Sequence, residues 1–519
     1  MGNGVTRSVK PVSENFPVFT MRFHEKAGMI SVLHANPDVQ RLVVGTINKY
    51  WPAGIKKEGK PHETLRTYQL NDYEQDGFWE QLSAFELFCA LLDHLRALGW
   101  HLSAATDMFL ASDDGEYIFS QGEPVKDNLF CVRLKDRDQL QIINGSSSVR
   151  ATVYNAFEKF CCFVTVKEKD NNRPHTLTVD GYPWQPMSDL QQINAGNALC
   201  EMFTELYDQK YELFTPACLD GAQDSLFFGQ SRNDRHNRSR SGRSHRHHDQ
   251  PVDFAIIILR DSDGMMLLRF PRKVQKMVKQ LIEDEWSDKL RTYSRDTDEA
   301  ITYRLEGDPW HNQTISREMS NKIRVFLLML LEELASMGWH LLCTIDTSQE
   351  SNDKSTFLFR SGEKERSKFI GVQPVGSGEL WLINMPKEEC RLVDAALMNT
   401  VGKDVIDGHE TFYGNTEIYS MKGSPWGSAQ NTDSLLGRHV YSIVVAALRR
   451  KGWIVACSAD LQDDTQTLEV EQRPQTRKKK RKARGLKKEK KERKNTRIVK
   501  ITQSADLHML IFEKLRRHD

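Results

Sequence analysis

The chain repeats itself, and that constrains its fold more than anything else in it. Five segments share two short apolar runs around a polar turn, followed by apolar positions at helical spacing. They are VFTMRFHEKAGMISVLHANPDVQRLV from Val18, LFCVRLKDRDQLQIINGSSSVRATV from Leu129, FAIIILRDSDGMMLLRFPRKVQKMV from Phe254, FIGVQPVGSGELWLINMPKEECRLV from Phe369 and RIVKITQSADLHMLIFEKLRRHD from Arg497. Apolar runs around Lys-Ala-Gly, Asp-Ser-Asp-Gly or Gly-Ser-Gly read as β-hairpins. Val39, Leu42 and Val43, like Val274, Met277 and Val278, then recur as one face of a helix.

A strand ending in a glycine–tryptophan turn comes next: LTVDGYPW to Trp184, YRLEGDPW to Trp310 and YSMKGSPW to Trp426. In the first copy this reads YQLNDYEQ, with Trp79 displaced. An amphipathic helix follows and ends on Gly-Trp, in LLDHLRALGWHLSAATD, LLEELASMGWHLLCTID and VAALRRKGWIVACSAD. The pairs are Trp100 and Asp107, Trp339 and Asp346, and Trp453 and Asp460; the second copy has Tyr211 and Cys218 there. Glycine before tryptophan suits a helix C-cap, where positive φ costs little, and proline before tryptophan keeps the entering chain extended. EYIFSQ, SLFFGQ, TFLFRS and TLEVEQ read as closing strands.

Each unit thus reads hairpin, helix, strand, helix, strand, strand: an α+β fold with a small antiparallel or mixed sheet covered by helices. The expected organisation is an N-terminal acylation segment at 1–16, repeat units at 17–125, 126–230, 251–365 and 366–472, an Arg/His/Ser-rich loop at 231–250, a Lys/Arg-rich insert at 473–495 and a fifth hairpin at 496–519. The fifth hairpin either caps the last sheet or shows that the unit begins at the helix. The pattern G-x-P-W, apolar helix, G-W-x-(L/V)-x4-D resembles a poorly characterised family of intracellular tandem-repeat proteins. The resemblance spans about residues 18–472. It implies an architecture and transfers no site.

Chemistry is sparse. The sequence has no P-loop, dinucleotide fingerprint, His-Glu-x-x-His or Gly-x-Ser-x-Gly. Asp107, Asp346 and Asp460 recur, and a residue recurring at one place in each unit belongs to the fold, here as a strand-end acceptor for backbone N–H groups. The same argument makes Trp100, Trp184, Trp310, Trp339, Trp426 and Trp453 structural positions. His245, His247 and His248 lie in low-complexity sequence without carboxylate or thiolate partners, so no metal and no cofactor is expected. The nine cysteines show no Cys-x-x-Cys spacing and read as reduced, mostly buried thiols. No apolar stretch reaches the roughly 18 residues a spanning helix needs, nor is there a signal-peptide core.

What remains lies outside the repeats. MGNGVTRS fits the myristoylation pattern, with Gly2 as acceptor and Thr6 in place. One acyl chain binds membranes only marginally, so a second signal is needed. The net charge of +1 hides a run at 477–494 with thirteen basic and two acidic residues, leaving −10 elsewhere. Arg477, Lys478, Lys479, Lys480, Arg481, Lys482, Lys487 and Lys488 are its candidate contacts to anionic lipid or nucleic acid. The run 231–248 holds six arginines against Asp234, with Ser239, Ser241 and Ser244 as candidate phosphorylation sites. Both runs read as expansions of one equivalent inter-unit link in alternate units. The expected function is a non-enzymatic, cytoplasmic, peripheral membrane scaffold, with anionic membrane and unidentified proteins as partners. The alternatives are a nuclear or RNA-associated protein acting through 477–494, which lacks interleaved aromatics for base readout, and an enzyme with a polar cluster in one unit only.

Overall fold

The computed structural model describes residues 16–514 apart from 25–26, 74–81, 107, 110–114, 162, 167–173, 220–223, 231–251, 287–289, 312–315, 348–353, 428–432, 462–464, 473–496 and 505–506. The first unit comprises β1 (Val18–His24), β2 (Met29–Leu33), α1 (Pro37–Tyr50), β3 (Ile55–His62), β4 (Leu65–Leu70), α2 (Leu82–Ala97), β5 (Trp100–Thr106) and β6 (Glu116–Gln121). The second repeats this as β7 (Phe130–Lys135), β8 (Gln139–Ile143), α3 (Ser147–Phe160), β9 (Val164–Val166), β10 (His175–Val179), α4 (Asp189–Asp208), β11 (Tyr211–Cys218) and β12 (Asp224–Gln230). The third has β13 (Phe254–Arg260), β14 (Gly264–Leu268), α5 (Arg272–Glu285), β15 (Leu290–Arg295), β16 (Ala300–Leu305), α6 (Arg317–Ser336), β17 (Trp339–Ile345) and β18 (Thr356–Ser361). The fourth has β19 (Phe369–Val375), β20 (Glu379–Ile383), α7 (Lys387–Thr400), β21 (Ile406–Phe412), β22 (Thr416–Met421), α8 (Ser434–Arg450) and β23 (Trp453–Ala459), followed by β24 (Thr465–Gln472), β25 (Arg497–Ser504) and β26 (Met509–Lys514).

Every unit is an α+β layer: a six-stranded antiparallel sheet with two helices. The strand order in the first is β3-β4-β2-β1-β6-β5, and the third follows it strand for strand. Each unit carries one strand more than the sequence pattern indicates, the outer edge strand after the first helix: β3, β9, β15 or β21. These edges are largely solvent-exposed, so they lack the alternation that marks a half-buried strand. The helix C-caps follow expectation. Gly99, Gly338 and Gly452 take φ of 87°, 88° and 81°, and Lys210 holds the same left-handed position in the second unit at 68°.

The C-terminal segment corrects the expected fifth hairpin. Its first strand, β25, pairs with β24 in a separate two-stranded ribbon, while β26 pairs with β19 and β23 and completes the fourth sheet. TLEVEQ is therefore one side of the ribbon and not the closing strand of unit four. The Lys/Arg run at 477–494 lies between β24 and β25, within the connection from fifth to sixth strand, whereas the Arg/His/Ser run joins β12 to β13 between units. The two runs do not occupy equivalent links.

The four units close on themselves. Each sheet packs its own helices on one face and the preceding unit's helices on the other. One core joins α1 and α2 to Leu129, Cys131 and Phe227 of unit two; the next joins α3 and α4 to Ile256, Leu268 and Leu358 of unit three. A third joins α5 and α6 to Ile383, Met509 and Ile511 of unit four, and the last joins α7 and α8 to Val18, Ala104 and Ile118 of unit one. The inner edge strands β5, β11, β17 and β23 meet their neighbours around the centre. Each carries a register shift at one equivalent place, Leu102/Ala104, Leu213/Thr215, Leu341/Cys343 and Val455/Cys457, which bends the strand where the four converge.

Candidate functional site

The four interfaces are built alike, so the one that departs from the rest is the place to look for function. The difference is centred on one helix position, fourteen residues before Gly99, Lys210, Gly338 or Gly452, which is Phe85, Gly196, Arg324 or Arg438. Between units one and two, the Arg133 guanidinium sits over the Phe85 ring at 4.7 Å. Between two and three, Gly196 faces Ile256 and Leu268 so closely that a Cβ there would lie 2.7 and 2.6 Å from their terminal methyls. Between three and four, Arg324 donates to the Gln373 side-chain oxygen, and Gln373 donates on to the Leu507 carbonyl at 2.7 Å.

Between four and one, the interface that joins the two ends of the chain, Arg438 enters a buried polar cluster. Its Nε donates to Glu116 Oε1 at 2.7 Å, Nη1 to Ser31 Oγ at 3.1 Å and Nη2 to Thr20 Oγ1 at 3.2 Å. Glu116 is fully buried and the Arg438 side chain is 6% exposed. Arg22 lies buried on β1 with its guanidinium 4.7 Å from the Phe109 ring. Beside them His34 Nε2 and His439 Nδ1 are 2.6 Å apart, and His24 Nε2 is 2.8 Å from Ser31 Oγ. His34 holds a left-handed backbone (φ 64°) where the chain turns from β2 into α1, with Phe16 edge-on at 5.3 Å.

The electrostatics keep these imidazoles neutral. Burial first, then Arg22 and Arg438, pushes His24 down to about 3. Burial, His439, Arg438 and His62 push His34 down to about 2, and burial with His62 pushes His439 down to about 4. In a neutral pair one ring donates and the other accepts. Among the described residues His34 Nδ1 and His439 Nε2 have no hydrogen-bond partner, so there either tautomer pairing leaves one N–H and one lone pair unmatched. Chemically the cluster is a buried carboxylate held by arginine, with three neutral imidazoles, one of which, His24, shares the Ser31 hydroxyl with Arg438. Among the described residues no three His, Cys, Asp or Glu side chains are grouped to hold a metal. The signal for this site was present in the sequence, as charge inside an otherwise apolar helix at Arg438 and His439. It becomes visible only when the four helices are compared position by position.

The recurring residues lie where a fold role requires. Trp184, Trp310 and Trp426 are buried, Trp184 against Phe157 of α3 and Trp426 against Tyr441 of α8, and Trp184 Nε1 donates to the Gln139 carbonyl at 2.9 Å. Trp100, Trp339 and Trp453 open the inner strands, packing on Phe19, Phe270 and the Lys514 ammonium respectively. Asp346 and Asp460 work as inter-unit fasteners through their backbone as donors. The Asp346 N–H reaches the Asp224 carboxylate at 2.7 Å, the Asp460 N–H the Ser355 hydroxyl at 2.9 Å, and both aspartate carbonyls accept N–H bonds in return. Asp107, Trp79, Gly2, Ser239, Ser241, Ser244, His245, His247, His248 and the basic positions from Arg477 to Lys488 lie outside the described residues.

A family model for a repeated domain matches the chain four times, at 17–118, 128–228, 253–360 and 368–474. The chain belongs to this tandem-repeat family. The matched segments start at each unit's hairpin, and the fourth ends before β26, the strand that completes its sheet. No curated protein and no solved structure matches it.

Proposed function

We propose that the protein is a non-enzymatic, membrane-associated scaffold, anchored by a myristoyl group on Gly2 and by its basic runs, with the ring as a rigid protein-binding body. The observation that carries this reading is where the segments outside the ring are rooted. β1 begins beside the end of β6, so the chain from Phe16 leaves at the end of the inner strands where the inter-unit links lie. Gln230 and Val252, the roots of the arginine-rich run, lie at that same end by repeat equivalence. Leu461 and Leu507, which flank the lysine-rich ribbon, follow β23 and precede β26 at the opposite end.

Gly2 and the 231–248 arginines therefore form the natural pair for one anionic surface. Each arginine near the leaflet contributes about 1 kcal/mol, enough together to turn marginal single-chain binding into stable attachment. Phosphorylation at Ser239, Ser241 and Ser244 would cancel that charge and release it. Among the described residues no helix is long and apolar enough to cross a membrane, so attachment in this reading is peripheral. The test is localisation and vesicle co-sedimentation of wild type, Gly2→Ala and deletions of 231–248 and 477–494. Loss with Gly2→Ala and with the 231–248 deletion is expected; wild type without acyl label overturns the anchor.

A second reading, nucleic-acid association and nuclear residence through 477–494, is favoured by the position of that run on a ribbon separate from all four sheets. Such contacts would be to phosphates, so binding would fall steeply with salt. RNA association unchanged in the 477–494 deletion would dismiss it.

A further inference from the structure

Each sheet of the ring has one edge buried at the centre and one facing outward, and an outward edge strand presents unpaired N–H and C=O groups to any extended chain. Two of the four outer edges, β3 and β21, are blunted. β3 carries Lys56, Lys57, Gly59, Lys60 and Pro61 and two register irregularities. β21 contains Gly408 with Asp407 and Glu410, and Glu410 is tied to Arg317 at 2.8 Å.

β15 (LRTYSR) is different. It is six residues long, shares the register shift at its start (Leu290/Thr292) with β3 and β21, but has neither glycine nor proline and is exposed along Arg291–Arg295. Among the described residues its only strand neighbour is β16. The Asp296 N–H donates to Ala300 O at 3.1 Å toward β16, so by antiparallel alternation Ser294 faces β16 while the Tyr293 and Arg295 N–H groups face outward. The setting is cationic. Arg272, Lys273, Lys276 and Lys279 lie on α5, which has no acidic residue before Glu283; Lys279 stands 4.7 Å over the half-exposed Tyr293 ring and 3.6 Å from Glu283. Arg291 meets Asp263 only at 3.6 Å and remains 61% exposed, and Arg295 reaches Gln275 at 3.4 Å.

We propose that the outer edge of the third unit, along Leu290–Arg295, is a docking strand for an acidic, extended segment of a protein partner, which adds to the sheet as a further antiparallel or parallel strand. Main-chain hydrogen bonds supply the affinity, and the flanking arginines and lysines select carboxylates. Charge disfavours pairing of β15 with the β15 of a second copy, which would set Arg291 and Arg295 against their own kind. The site is independent of membrane attachment, since Gly2→Ala leaves this strand untouched.

The probe is a fluorescent peptide of alternating glutamate and valine, read by anisotropy against the full-length chain. Single-stranded RNA of similar charge and phosphatidylserine vesicles serve as the other arms. The basic runs give every polyanion a background common to all variants, so differences between variants decide. Tyr293→Pro removes an outward N–H without touching the ladder to β16 and is expected to weaken peptide binding about tenfold or more. Tyr293→Thr, which keeps the N–H, is expected to bind like wild type, and Arg291→Glu with Arg295→Glu to lose as much as the proline variant. Thermal melting confirms that each variant is folded. Peptide binding indifferent to Tyr293→Pro overturns the proposal, as does RNA or vesicle binding that depends on the two arginines when the peptide does not bind.

Discussion

The interface between units two and three and the interface between units four and one use the same helix position for opposite ends. At the first, Gly196 lets a helix settle against Ile256 and Leu268, and the contact is apolar. At the second, Arg438 sits in a buried network with Glu116, Ser31 and Thr20 beside two neutral histidines. The first joins consecutive units. The second joins residues more than 300 positions apart and closes the ring with no covalent link. Apolar burial is non-directional and tolerates a shift, whereas a buried ion pair is favourable only in one geometry. We read the polar network as specifying register at closure, at some cost in stability.

The largest expected break in this contrast comes from pH. His24, His34 and His439 have folded values near 3, 2 and 4, below the unfolded 6.5. Below pH 6.5 the unfolded chain therefore takes up protons that the folded chain refuses. Stability present above 6.5 is lost as pH falls toward the folded values, at about 1.4 kcal/mol per pH unit for each histidine. Together this is about 4–6 kcal/mol by pH 5. Urea titrations between pH 7 and 5 measure it, and His34→Gln with His439→Gln should flatten the slope.

Next in size is Arg438→Leu, which strands Glu116 in the core and should cost about 3–5 kcal/mol. Adding Glu116→Leu should restore much of it, which a double-mutant cycle in denaturant reads directly. At the other interface, Gly196→Arg would place the same cation against Ile256 and Leu268 with no acceptor and cost about 3 kcal/mol or more. If thermal melting showed the two interfaces equally tolerant of arginine, the contrast between them would fail. The smallest effect belongs to the fasteners between units two and three and between units three and four. Ser355→Ala removes the acceptor for the Asp460 N–H and should cost about 1 kcal/mol, visible as a small shift in melting temperature.

Much of this molecule was legible in its sequence because repetition amplifies weak signals. The recurring aspartates are expected from the sequence as side-chain acceptors at strand ends; the inter-unit bonds at Asp346 and Asp460 run instead through their backbone N–H groups as donors. The outer strands were missed because LRTYSR and IKKEGKPH have almost no buried side to pattern them. The end of the chain was misread for a related reason. RIVKITQS and MLIFEK look like a hairpin locally, yet β26 is held by β19 and β23, and β25 by β24. Strand partnership is a long-range property, and two adjacent apolar runs do not disclose it.

By itself, then, the sequence determined the unit: where its hairpin begins, where its helices stop on Gly-Trp, and that the unit recurs four times. Those features follow from local physics, from side-chain periodicity, glycine's access to positive φ and proline's fixed backbone. Tertiary structure alone decided that the four units form a closed ring, that β26 is the strand finishing the last sheet, and that Arg438 finds Glu116 rather than solvent. The reason is physical. Each sheet has two apolar faces and its own helices cover only one, so the remaining face of unit one can be satisfied only by the helices of unit four.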